Sequence, residues 1–162
     1  MTCPYFVPRE IVHDISWPHP TRLPLGAGWT GSCCASGNAS TANSHPLAAD
    51  ENAPGLSREA ALDSSLLRDF CNLGYATKCP NLPHDRDWDA IRFSVASSSR
   101  EQITVFYVCE KSHEPAAHGS LTFNLMAETW RDAYVDPRVR RLANSYLHAY
   151  RARQSGAPAD SL

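Results

Sequence analysis

The sequence predicts an α+β fold: a three-stranded antiparallel meander, two main helices and a long irregular proline-rich N-terminal arm. Three observations predict it. Apolar residues alternate or run continuously in three short stretches between residues 88 and 126, apolar stripes at helical spacing flank them, and Pro4, Pro8, Pro18, Pro20 and Pro24 crowd the start of the chain. At 162 residues the chain has the length of one domain, expected over residues 1–155 and held together by a metal, with 156–162 a flexible tail.

The arm, 1–34, is too rich in proline for a long helix, and "LGAGWTGS" adds glycines for tight turns. Tyr5, Phe6, Trp17 and Trp29 are too apolar for a solvated tail, so the arm is expected to wrap around the domain. Residues 35–56 are expected to be a mobile loop, being rich in Ala, Ser and Asn. Within 57–82, Ser57 can cap a helix that runs to about Phe70, with Leu62, Leu66, Phe70 and Leu73 at helical spacing and Gly74 as its stop. A cysteine loop comes next.

Across 88–126, Ile91, Phe93 and Val95 share one strand face, as do Leu121, Phe123 and Leu125. Between them "ITVFYVC" is apolar on both faces and reads as the central strand. Asp136 and Pro137 make a good helix start for 136–153, where Val139, Leu142, Ala143, Tyr146, Leu147 and Tyr150 form one stripe.

The balance of 43% apolar and 20% charged residues with net charge -2 argues against wholesale nucleic-acid or membrane binding. The first twenty residues hold no apolar run, so neither a signal peptide nor a transmembrane helix is expected and the expected location is the cytoplasm. In a reducing compartment the six cysteines, Cys3, Cys33, Cys34, Cys71, Cys79 and Cys109, read as metal ligands or redox centres before they read as disulfides.

A tetrahedral or cuboidal centre needs about four thiolates converging from different segments, with apolar neighbours to shield them. Cys3, Cys33, Cys71 and Cys79 meet the first need. Tyr5, Phe6, Trp29, Leu73, Tyr75 and Leu82 can meet the second. Cys33 is preferred to Cys34 because it directly follows the Gly-rich turn. Structural zinc sites draw paired ligands from short C-x-x-C knuckles, which this chain lacks, whereas isolated cysteines suit a 4Fe-4S cluster with one thiolate per iron, and Cys79-Pro80 matches the Cys-Pro that ends ferredoxin-type runs. Zinc is the alternative cofactor.

In the layout of Cys3, Cys33, Cys71 and Cys79-Pro80 the chain resembles the 4Fe-4S domains of primase large subunits and of AddB-type nucleases, where four widely spaced cysteines staple the fold around a cluster. The nuclease motif that accompanies those domains is absent from this sequence, so the resemblance implies the cluster and neither activity. The general look of the chain also resembles the small bacterial cysteine-cluster proteins, a resemblance that implies nothing functional.

Other residues carry weaker signals. Cys109 ends an apolar strand and reads as core, with a mixed site of Cys109, His113 and His118 as the rival. His13-Asp14 neighbour one another on an extended stretch and would point apart, Ser97 to Ser99 read as a hairpin turn, and the prolines beside His19 make it a surface corner. The last helix carries Arg138, Arg140, Arg141 and Arg151 with no acid among them, a candidate face for nucleic acid or an acidic protein that reads first as a solvated surface.

The first functional expectation is therefore a non-catalytic 4Fe-4S protein for electron transfer, redox sensing or structural stapling, with a redox or protein partner. The second is a zinc-stapled interaction module that contacts nucleic acid or an acidic protein through the arginine helix. An enzyme centred on His113, Glu114 and His118 is the third, and nothing in the sequence demands it.

Overall fold

The computed structural model describes residues 1–12, 23–35, 62–73, 75, 77–132 and 134–155. The expectations for His13, Asp14, His19, Ser57, Gly74, nearly all of the 35–56 loop and the tail fall outside the described residues.

Among the described residues two antiparallel sheets and two helical elements make up an α+β fold. The larger sheet has the order β3 (Ala90–Ser98), β4 (Gln102–Lys111), β5 (Glu114–Asn124), β6 (Thr129–Trp130). The expected meander thus gains a fourth strand: β5 turns back so that Phe123 pairs with Trp130 and Asn124 with Thr129. The turn is closed by Asn124 Oδ1, which accepts from the amides of Met126 and Ala127. Two residues are too few to show any period in the sequence, which is why the pattern of apolar residues did not reveal this strand.

The arm differs more. It is not irregular: β1 (Phe6–Ile11) and β2 (Trp29–Cys33) pair as a second, two-stranded sheet in which Phe6 faces Cys33 and Pro8 faces Gly31. A two-stranded ribbon consists of edges only, so Pro8 has an open side for its missing N–H. Gly31 is required there, because a Cβ at this position would strike the Val7 carbonyl and the Phe6 ring. The chain start joins the large sheet, Thr2 exchanging backbone hydrogen bonds of 2.7 and 2.8 Å with Ile91.

The expected helix to Phe70 is, among the described residues, a single α-turn, α1 (Ser64–Leu66), that runs into a π-turn over Leu67–Cys71. Helix α2 (Pro137–Ser155) forms where expected, with the Asp136 carboxylate accepting from the Arg138 amide at its start. Its stripe of Val139, Leu142, Ala143 and Leu147 packs on the inner face of the large sheet, where Ile91, Val105, Cys109 and Leu121 are all but fully buried. Phe6, Leu25 and Trp29 of the arm close the same core. Among the described residues no helix is long and apolar enough to cross a membrane.

Candidate metal centre

Each of the four predicted cysteines reaches one cavity by its own route. Cys3 follows Thr2, which is locked to Ile91, and its carbonyl accepts the Phe6 amide at 3.2 Å in the turn entering β1. Cys33 ends β2 opposite Phe6. Cys71 closes the π-turn, and Cys79 opens a second turn in which its carbonyl accepts the Leu82 amide.

The piece that brings Cys71 to Cys33 is Asn72. Its side chain is a surrogate strand partner for Trp29: Oδ1 accepts the Trp29 amide at 2.9 Å and Nδ2 donates to the Trp29 carbonyl at 2.9 Å. Nδ2 also donates to the Leu67 carbonyl, so one buried amide ties the end of the π-turn to β2. Sequence pattern missed Asn72 because a polar residue after a helix reads as an ordinary cap.

Cys3, Cys33, Cys71 and Cys79 all line one cavity, whose other walls include Phe6, Leu62, Leu66, Phe70 and Leu82. The sulfurs feel one another. Burial pushes the Cys3 thiol up to about 12, with Cys33 and Cys79 adding to the rise, and burial does the same to Cys71, helped by Cys3, Cys33 and Cys79. Two thiols receive backbone amides from two residues ahead: Tyr5 N–H to Cys3, and Ala35 N–H to Cys33 at 3.4 Å. Such N–H···S contacts favour the anionic sulfur that a metal takes.

The donor set therefore fits a thiolate-held metal group: four cysteines from four segments, an apolar wall and amides aimed at sulfur. Among the described residues no three His, Cys, Asp or Glu side chains close on one point as a single ion needs.

The two alternatives beside this set lie apart. Cys34 is exposed on the other side of the strand, its thiol donating to the Tyr5 carbonyl at 3.2 Å and accepting from Arg141 Nη2 at 3.5 Å. Cys109 faces the core with no exposure, and burial pushes its thiol up to about 12. The structure does not assemble Cys109 with His113 and His118. His113 stacks on Tyr75 at 3.8 Å at the hairpin tip, and His118 is exposed beside Phe106, opposite Val108 on the outer face.

The arginines of α2 are engaged within the fold. Arg138 is bound to Asp136 and Asp87 at 2.9 Å each and lies over Trp88, 4.5 Å from the ring centre. Burial opposes the charge on Asp136, yet the Arg138 hydrogen bonds hold its carboxyl below the usual carboxylate range. Arg140 donates to the Asp132 carbonyl and lies over Trp130, and Arg151 sits 3.7 Å from Glu128. The carboxylates missing from the helix itself are supplied by its cap and by neighbouring loops.

Comparison with protein families, curated proteins and solved structures finds no match.

Proposed function

We propose that the chain holds a 4Fe-4S cluster through Cys3, Cys33, Cys71 and Cys79 and serves as a non-catalytic redox or structural centre in the reducing cytoplasm. The observation that carries this reading is that those four cysteines, from four separate segments, line one cavity. A cluster takes one thiolate at each corner, which matches four cysteines that come from separate segments and from no short knuckle. When bound, a cluster would supply one-electron chemistry. Four cysteines leave no corner open to substrate, which argues for electron transfer, sensing or stapling over catalysis. The chain's own part is to shield the centre with Phe6, Leu66, Phe70 and Leu82 and to direct the Tyr5 and Ala35 amides at sulfur.

Oxygen-free purification with visible absorption and metal analysis tests the reading. A broad band near ~400 nm with about four irons and four sulfides per chain supports it. About one zinc without colour would replace the cluster by a zinc staple. Neither metal would remove the metal reading altogether.

A further inference from the structure

A second concave site lies far along α2 from its start, where Asn144, Leu147, His148 and Arg151 face Phe123 of β5 across a cleft of about 230 Å³. Spacings of four and three residues put Asn144, His148 and Arg151 on one side of the helix. Phe123 and Leu147 form an apolar floor.

The chemistry of the rim is fixed by its neighbours. The Trp130 indole, a donor only, gives its hydrogen bond to Asn144 Oδ1 at 2.6 Å, so the amide must present Nδ2 and its protons away from that contact. His148 Nε2 is buried with no hydrogen-bond partner among the described residues, its ring meeting Trp29 edge-on at 5.8 Å. Arg151 lies over the Phe123 ring, and its ion pair among the described residues is the long 3.7 Å contact to Glu128, whose side chain is exposed. A guanidinium, an oriented amide and an unsatisfied imidazole thus border one apolar floor.

We propose that this cleft binds a small carboxylate carried on a flat apolar body. One guanidinium, countered in part by Glu128, matches a single negative charge; a doubly charged phosphate would need a further cation. The volume falls below the ~300 Å³ at which drug-sized pockets begin, so the body is about as large as one aromatic ring. The carboxylate meets Arg151 and Asn144 Nδ2 while the ring fills the cleft against Leu147, beside Phe123.

The test is isothermal titration of the full chain with sodium benzoate, benzamide and inorganic phosphate, with tryptophan fluorescence as a second signal through Trp130. Benzoate is expected to bind saturably at concentrations up to about 10 mM, ahead of both other probes. Arg151→Gln should weaken it by about tenfold, Asn144→Ala should weaken it less, and Glu128→Gln should tighten it. Absence of saturable benzoate binding, equal binding of benzamide or phosphate, or unchanged affinity in Arg151→Gln would overturn the proposal.

Discussion

The Asn72 side chain satisfies both backbone groups of Trp29, accepting from its amide and donating to its carbonyl, and so acts as one residue of a strand that the chain does not otherwise supply. Two cysteine-bearing segments, the π-turn ending at Cys71 and the strand ending at Cys33, are tied together by that one amide.

Replacing Asn72 by Ala leaves a buried N–H and C=O of Trp29 without partners. We expect a loss of about 2–4 kcal/mol in stability, at ~1–3 kcal/mol for each orphaned group. Urea denaturation measures it. Metal content should fall with it, and a variant that keeps wild-type stability and full loading would refute the role given to Asn72.

The thiols of Cys3 and Cys71 set the pH dependence of loading. Both are pushed up to about 12, so each is protonated at neutral pH and must release its proton to become a thiolate ligand. Apparent metal affinity should rise about a hundredfold per pH unit from these two groups alone, tenfold from each. Competitive chelator titrations between about pH 6.5 and 8 measure the slope. The stability of the metal-free chain runs the other way. These thiols titrate near 9 when unfolded, so their favourable share is complete below that pH and disappears as pH climbs from 9 towards 12.

Alkylation should separate the cysteines by position. In the metal-free chain Cys34, exposed at the surface, should react with iodoacetamide well before Cys3, Cys71 and Cys109, which are buried. Peptide mapping over time reads the order, and rapid labelling of Cys109 would contradict its place in the core. Cys34→Ser and Cys109→Ser should load as wild type, while Ser at Cys3, Cys33, Cys71 or Cys79 should lower metal content.

Arg138 illustrates a charge that belongs to the fold. Arg138→Met would leave the half-buried Asp136 without its main partner, at an expected cost of about 2 kcal/mol, reduced from the ~3–5 kcal/mol of a fully buried pair by partial exposure. Thermal unfolding checks this. Stability equal to wild type would return Arg138 to the surface role suggested by sequence alone.

The long regular elements were legible in the sequence where a pattern runs: α2 repeats its apolar stripe from Val139 to Tyr150, β3 alternates through Ile91, Phe93 and Val95, β4 runs mostly apolar from Ile103 to Cys109, and β5 alternates only in its second half through Leu121 and Phe123, its start at Glu114 showing no such pattern. What escaped was short or non-local. Strand β6 is two residues long, Pro8 disguised β1, and the pairing of β1 with β2 spans a stretch with no periodic signal. The four cysteines could be singled out by number and separation, and the structure places all four on one cavity. Choosing Cys33 over Cys34 is a matter of strand pleat, which sends neighbours to opposite faces, and only the pairing with β1 shows which face meets the cavity. The pairing of the α2 arginines with Asp87 and Glu128 was not legible because those carboxylates lie on turns distant in sequence.

The π-turn before Cys71 contains one residue more than the α-turn it replaces, its closing bond running from the Asn72 amide to the Leu67 carbonyl at 3.0 Å. The aim of the Cys71 thiol is thus governed by how many residues lie in the turn more than by which ones. Arg68 and Asp69 are exposed and should tolerate substitution. Deleting either would let an ordinary α-turn close on the same Leu67 carbonyl and keep the direction of the chain, whereas adding one residue more would swing the downstream chain by about 100° around the helix axis, carry Cys71 away from the other three thiols and part Asn72 from Trp29 in the same step.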